Sequence, residues 1–597
     1  MGGVRTLLCD CEGSMPVDGD ALAAALGAPQ PPRVFRHLCR TELGFFQAAL
    51  AEDGPMLVAC AQEAPLFAEL ADAAAAPIPL FVDIRDRAGW SAEAAASAPK
   101  MAALLADALV PQAQPPTETL ASSGQILVLG EDQAALDAAA RLGAERGVVC
   151  LLTAVADNMI PPSARPFAVL RGRLERVSGV LGRFSVDVRD AAALAASARA
   201  DMRFDPPGPP QRFDADVVLD LRRGAPPLWT VRDGYLRIDP NNPAALEKAL
   251  AEALSLLGEF EKPRYVRFRA ELCAHARNQV VACNRCIDVC PAAAIVPDGD
   301  RVKVDAAICA GHGACAAACP TGAISYDLPA GNGLYQRLRV LLTTYAAAGG
   351  RDPTLLVYER GAGDATLSAL ARFGDGLPAA VLPFAVDAPA ALGPEFLLTA
   401  YAYGAARVVA LAPPARARDL GPLRDGAAIA DAALAGLGWD RRTEVLATAD
   451  PDALATTLAG AVGAAPAPAA AHLVLGDKRS ALALALAHLR RIAPAPVDEV
   501  ALPDGAPLGG VALDAEKCTL CMACAVACPT GALSGAPDAP SLGFTENACV
   551  QCGLCRAVCP EKAVALAPRL NFAPAARERV ILKQEEPHCC PRCGKAF

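Results

Sequence analysis

The sequence describes a multidomain α/β protein whose α/β domains are interrupted by two short cysteine-rich blocks. Three observations lead there. At 597 residues the chain exceeds the ~250–300 residues at which a single hydrophobic core stops growing. Short apolar runs such as VRTLLCDC, PMLVACA and IPLFVDI alternate with Ala-rich amphipathic stretches, as strands alternate with helices. The 23 cysteines are bunched, with none between Cys319 and Cys518. Because 53% of residues are hydrophobic but only 5% aromatic, the cores should be built from small side chains.

Reading along the chain, residues 1–115 form a first α/β domain that ends in the Pro-rich segment PQAQPPTE. Residues 120–265 open on GQILVLG, continue through ALDAAARLGAERG and VVCLLT, and close near a helix at 243–259. The first cysteine block occupies 266–330. A cysteine-free α/β domain follows at 335–500, with TLLVY, AAVLPFAV, RVVAL, TEVLATA and HLVLG as its strands. The second block, at 505–570, repeats the first, and 571–597 is a tail.

A net charge of −10 excludes a nucleic-acid backbone as the expected partner, since that binding displaces counterions with clustered Lys and Arg. The opening MGGVRTLLCDCEG has neither a signal-length apolar run nor a twin-arginine pair, so a cytoplasmic location is expected. Residues 456–476 are uncharged and long enough to span a bilayer, but they are mostly Ala and Gly and contain Pro466 and Pro468. They read as a helix end, a linker and a strand, leaving no membrane span. Cysteines bunched in CxxC runs of a large chain point to metal ligation rather than disulfides.

The second block reads CTLCMACAVACP and then CVQCGLCRAVCP, each CxxCxxCxxxCP. In this pattern three closely spaced thiolates wrap one four-iron cluster and the fourth crosses to the other, while the Pro turns the chain away. The spacing assigns Cys518, Cys521, Cys524 and Cys559 to one cluster, and Cys549, Cys552, Cys555 and Cys528 to its neighbour. A zinc site needs four cysteines and does not require two interlocked CP motifs. These residues resemble the bacterial dicluster ferredoxin, an α+β module.

The first block, CNRCIDVCP and CAGHGACAAACP, resembles the same module with two departures. Counting back from Cys290 passes Cys286 and Cys283 and arrives at Val280, so the nearest upstream thiol, Cys273, is expected to reach in through a longer loop. In the other half Cys309 and Cys315 are in register and His312 fills the intervening slot. The expected sets are Cys273, Cys283, Cys286 and Cys319, and Cys309, His312, Cys315 and Cys290. A neutral imidazole ligand would raise the potential of its cluster. The alternative is a three-iron or labile cluster with His312 turned elsewhere.

Cys9 and Cys11 end an apolar run, Cys39 lies in HLCRTELGFF, and Cys60 ends MLVAC. On a regular strand, Cys9 and Cys11 would share one face. This arrangement resembles the N-terminal domain of the HdrA family of heterodisulfide reductases, and the resemblance implies a further iron–sulfur cluster. Cys150, in GVVCLLT, reads as a core residue. The turn after GQILVLG is a degenerate Rossmann-like one. It lacks GxGxxG and places Glu131 and Asp132 where a pyrophosphate would sit, so flavin is not expected. The stretch AVLPFAVDAPAALGPEFLLTAYAYGAARVVAL is similar to the delta subunit of methyl viologen-reducing hydrogenase. Every cysteine of that pattern is missing, so the resemblance implies the fold alone, with 395–404 a packed helix. The ending HCCPRCGKAF, with His588, Cys589, Cys590 and Cys593, reads as a knuckle without its second half.

No molybdopterin, haem or hydrolase signature stands out. The expectation is a non-catalytic electron-transfer subunit carrying four [4Fe-4S] clusters, with the N-terminal cysteines offering a fifth. Its partners would be an oxidoreductase and a ferredoxin-like carrier. The domain order resembles a multi-cluster family associated with bacterial formate dehydrogenase systems. The rival readings are a flavin-dependent oxidoreductase of the heterodisulfide reductase type and an iron–sulfur cluster carrier.

Overall fold

The computed structural model describes residues 4–228, 232–440, 443–460, 462–536, 539–586 and 591–592. The first domain is a four-stranded sheet in the order Val34–Phe35, Arg5–Cys9, Met56–Val58, Leu80–Phe81, and every pairing in it is parallel. Parallel neighbours require crossover connections, here the helices Gly19–Leu26, Leu43–Leu50 and Ala64–Ala73. All strands then end on one edge of the sheet. Cys9 closes its strand and Cys60 follows Met56–Val58, so topology alone carries both thiols to that edge.

The second domain is a seven-stranded sheet in the order Tyr235–Arg237, Val217–Asp220, Ile126–Gly130, Val148–Leu152, Ala168–Ser178, Phe184–Ala193, Gln211–Ala215. The first five strands are mutually parallel, and the last two pairings are antiparallel. Helix Gln133–Leu142 begins just past Ile126–Gly130. Its N-cap is Asp132, which accepts from the Ala134 amide and pairs with Arg223 at 2.9 Å, while Glu131 accepts from the Arg223 amide. The helix end that would face a phosphate is therefore served by the chain's own carboxylate and arginine. Gly130 keeps a packing role, because a Cβ there would lie 2.1 Å from that of Ala135. Cys150 is fully buried, and burial pushes its thiol up to about 12.

The cysteine-free domain has a four-stranded parallel sheet, Val381–Val386, Thr354–Glu359, Arg407–Ala412, Thr443–Ala447. HLVLG, expected as a fifth strand, joins no sheet. Tertiary bonds overrule its β-forming residues. The Ala470 amide donates to Ala402 O at 2.7 Å and the Tyr403 hydroxyl to His472 O at 3.1 Å, tying the segment to helix Pro394–Ala402 instead of a sheet edge. That helix is buried along its whole length. Among the described residues no helix is long and apolar enough to cross a membrane.

The first and third α/β domains share one core. Leu8, Leu22, Leu57 and Leu105 are buried in the same cluster as Leu338, Leu355, Phe384 and Phe396, and helix Ala98–Ala108 packs along helix Gly333–Ala347. Ion pairs staple the seam: Asp107–Arg337 at 2.8 Å, Asp364–Arg87 at 2.8 Å and Asp86–Arg372 at 3.1 Å. Fully buried Lys100 adds bonds from Nζ to Leu377 O at 3.0 Å and Pro378 O at 2.8 Å. Burial depresses Lys100 from 10.5 to about 7. The unfolded chain then holds this proton more readily above pH 7, so the stability contributed at this residue rises from pH 7 towards 10. Relative to Lys100→Met, which cancels the titration of the cysteines, the wild type should gain about 2 kcal/mol between pH 7 and pH 9. Denaturant midpoints at the two pH values check it.

Candidate metal centres

The second cysteine block is built on the antiparallel strands Gly509–Leu513 and Val564–Asn571, with short helices Ala523–Ala527 and Leu554–Ala557 carrying Cys524 and Cys555. Its two loops share a backbone device. Leu520 and Met522 in one, and Gln551 and Gly553 in the other, have φ between 50° and 86°. Left-handed residues at alternate positions curl a loop so that successive amides face inward, as anion-binding nests do. Leucine, methionine and glutamine rarely adopt this conformation, so the surrounding fold imposes it.

Cys518, Cys521, Cys524 and Cys559 line one small cavity with Leu513, Met522, Leu542 and Val564. The Ala563 amide donates to Cys559 Sγ at 3.3 Å. Burial, with Cys518 and Cys521 nearby, pushes Cys524 up to about 11. The other four thiols of the block also form a group. Burial drives Cys552 up to about 11 and Cys555 to about 12, and Cys528 and Cys549 add to both shifts. Gln551, almost wholly buried, donates from Nε2 to Cys549 Sγ at 3.3 Å and to Gly510 O at 2.7 Å. Sequence reasoning passed over Gln551, because nothing in CVQC separates a spacer residue from a hydrogen-bond donor.

In the first block Cys273 reaches the others through a hairpin, Ala276–Arg277 paired with Val280–Val281. Its two turn residues, Asn278 and Gln279, have φ of 49° and 67°, the signs of a type I′ turn, whose twist matches the strands it joins. His275 Nδ1 lies 2.9 Å from Cys283 O and closes the hairpin's base. Burial is the largest influence on Cys283 and Cys286; the neighbouring Cys319 and Cys273 raise both further, Cys286 to about 12. Cys319 has an opposite balance: burial would raise it, but Lys478, the Thr321 hydroxyl and the Ile324 amide hold it below the usual thiol value.

Cys309, Cys315 and Cys290 form the remaining group of this block, and Cys315 also lies within reach of Cys286 and Cys319. Gly311 and Gly313 repeat the left-handed pair. Each is sterically demanded, as a Cβ would sit 2.8 Å from the Tyr265 ring or 2.6 Å from Ala391 Cβ. The ring of His312 faces the cysteine-free domain: Nδ1 lies 2.7 Å from Asp419 Oδ2 and 2.8 Å from Arg416 Nη1, with Nε2 3.4 Å from that same Nη1.

Cys9, Cys11, Cys39 and Cys60 meet at the edge of the first sheet, around Phe35, Leu38 and Phe46. Cys9 and Cys11 share a hydrogen bond that keeps one thiol low and the other high. Burial raises Cys39 and Cys60, and Cys9 lies within reach of both. Cys11 does not continue the strand as expected. The strand stops at Cys9, and Cys11 turns into the left-handed region with a φ of 51°. The thiols therefore converge through a turn rather than a shared strand face. Arg85, which the sequence did not single out, stands beside Cys11 and Cys60.

All twenty described cysteines are free thiols. Among the described residues no three His, Cys, Asp or Glu side chains converge on the position of a single metal ion. A zinc site demands such convergence, with Zn–S bonds of ~2.3 Å. A four-iron cluster does not, because each thiolate binds a different iron. Compared with known families, residues 281–323 and 517–563 match the 4Fe-4S dicluster domain. Both cysteine blocks are dicluster iron–sulfur domains. Two such domains imply up to four [4Fe-4S] clusters, and the buried, grouped thiols fit that donor set. The first match begins at residue 281, so Cys273 stands outside it. No curated protein matches the chain, and the other resemblances rest on their motifs alone. His588, Cys589, Cys590 and Cys593 lie outside the described residues.

Cys559→Ser in the full chain should remove about one cluster's iron and perturb the centre at Cys518, Cys521 and Cys524, with which Cys559 shares its cavity. Anaerobic iron counting and EPR read this. A loss confined to the Cys549 group would show that ligation is not crossed.

Proposed function

We propose that this chain is an electron-transfer protein whose two dicluster domains form a single file of four centres between an oxidoreductase and a low-potential ferredoxin-like carrier. One observation carries the reading: the two domains, separated in sequence by the whole cysteine-free stretch between Cys319 and Cys518, meet at their cysteines. Cys283 lies close enough to Cys552 to raise its thiol. The hairpin strand Val280–Val281 rests on helix Leu554–Ala557, and Arg285 Nη1 donates to Gly505 O at 2.8 Å.

The file runs from Cys290, Cys309 and Cys315 to Cys273, Cys283, Cys286 and Cys319. It crosses the junction to Cys528, Cys549, Cys552 and Cys555, and ends at Cys518, Cys521, Cys524 and Cys559. A [4Fe-4S] cluster, when bound, supplies one-electron transfer at a potential set by its surroundings. The chain's part is to gather thiols, exclude water and release their protons as metal binds. Among the described cysteines Cys521 is the one exposed to solvent, which makes its end of the file the natural point of exchange with a carrier. The domain order supports a formate dehydrogenase as the enzyme partner, and the acidic net charge suits a carrier with a basic face.

His312 is the proposed fourth ligand of the first centre. In that role its Nδ1–H would be donated to Asp419, the outer partner that iron-ligating histidines commonly have, and Nε2 would turn to iron once Arg416, 2.8 Å from Nδ1 and 3.4 Å from Nε2, gives way. The four N-terminal thiols are the proposed ligands of a fifth centre.

Pulsed EPR of the partly reduced full chain should show magnetic coupling between a centre of each dicluster domain, and Cys552→Ala should abolish it. Uncoupled domains in the wild type would overturn the file. Stoichiometric flavin after anaerobic purification, or rapid loss of clusters to an apo-ferredoxin, would instead favour the flavoenzyme or the cluster carrier.

A further inference from the structure

The cysteine-free domain touches both dicluster domains with three consecutive residues at the start of helix Lys478–Arg491. Asp477 caps this helix, accepting from the Ser480 amide at 3.0 Å, and holds Arg269 of the first dicluster domain at 3.0 Å. Lys478 turns to that same domain: Nζ donates to Ala316 O at 2.7 Å, in the short helix that carries Cys315 and leads to Cys319. Its stem crosses Gly322, where an added Cβ would come 3.3 Å from Lys478 Cγ. Arg479 turns to the second domain, where Nη1 donates to Pro507 O and Nη2 to Cys549 O at 3.2 Å.

Adjacent side chains thus reach the two ligand sets that face each other across the junction. Their hydrogen-bond acceptors are carbonyl oxygens, which leave a cation's charge uncancelled. Of the nearby carboxylates, Asp477 is engaged by Arg269 and lies with Glu395 near Arg479, while Glu395, Asp288, Asp425 and Asp504 line cavities with Lys478; none of them is within ion-pair distance of either cation. A half-buried guanidinium or ammonium without a carboxylate against it is costly unless another negative charge lies close. A four-thiolate cluster is such a charge. It becomes more negative on reduction, so a fixed cation beside it favours the reduced state.

We propose that Lys478 and Arg479 set the reduction potentials of the two junction centres, Lys478 acting on the Cys273, Cys283, Cys286 and Cys319 set and Arg479 on the Cys528, Cys549, Cys552 and Cys555 set. The inference rests on the file of centres proposed above. It assigns to the cysteine-free domain the electrostatic control of the step between the two dicluster domains. Cys319 and Lys478 line one cavity, and Arg479 bonds the carbonyl of Cys549 itself.

The test uses the full chain, purified anaerobically, with Lys478→Gln and Arg479→Gln. Glutamine keeps a donor for the carbonyls and removes the charge. Each variant should keep its iron and sulfide and shift one midpoint negative in an EPR-monitored titration. The expected change is about tenfold in the ratio of reduced to oxidised centre, which is 59 mV for one electron. Lys478→Gln should move only a centre of the first dicluster domain, Arg479→Gln only one of the second, and Lys478→Arg should restore the wild-type value. Unchanged midpoints at full iron content overturn the proposal. So does iron loss from both Gln variants with retention in Lys478→Arg and Arg479→Lys and no midpoint shift in the remaining centres, which would make the pair a structural clamp only. Midpoint shifts without magnetic coupling between the domains would sustain the tuning role while removing the file.

Discussion

Gathering thiols out of water is the constraint around which this protein is arranged. A buried thiol resists ionisation, and each neighbouring thiolate makes the next proton harder to remove, as the raised values through both dicluster domains show. Sets of such groups are stable together only if protonated or joined to metal. The chain concentrates the means of holding them there. Left-handed loop residues present amides, Ala563 and Ile324 donate to the remote thiols, and basic side chains approach from outside each cysteine run.

The α/β domains supply rigid edges and seams for this task. In the first, parallel strands bring Cys9 and Cys60 to one edge because every strand ends there. In the third, helix Lys478–Arg491 is locked into the shared core through Leu482, Leu486 and Leu489, so its first turn can hold two other domains in register. Precision at the junction thus derives from hydrophobic packing well away from any cysteine. The second domain shows the converse. The turn after Ile126–Gly130 is held by packing, with Gly130 tight against Ala135, while the charges at the helix end satisfy one another.

What could be read from the amino acids follows from range. The CxxCxxCxxxCP runs were legible because most of a set's ligands sit within a few residues and the crossing partner carries its own Pro. The sheets of the first and third domains were legible from apolar runs such as TLLVY and RVVAL. Cys273 was placed by elimination, but the type I′ hairpin that delivers it depends on Asn278 and Gln279, one of them an unusual turn residue. HLVLG has strand composition, and bonds to Ala402 and Tyr403 decided otherwise. Lys478 and Arg479 carried no local signal, since their meaning depends on Ala316 and Cys549, both distant in sequence. His312 was singled out by its slot, whereas its contacts with Asp419 and Arg416 required the fold.

The core shared by the first and third domains also has a consequence for synthesis. Between helix Ala98–Ala108 and helix Gly333–Ala347 the chain builds a whole α/β domain and the first dicluster domain, which gives Ala314 to that core. On the ribosome the N-terminal sheet therefore emerges long before the helix that covers it, and its seam stays exposed while the first block of cysteines is made. The second block arrives last and adds Ala506 and Leu570 to that core. Synthesis of the two cysteine blocks is in this way separated in time, with the contact between them formed last.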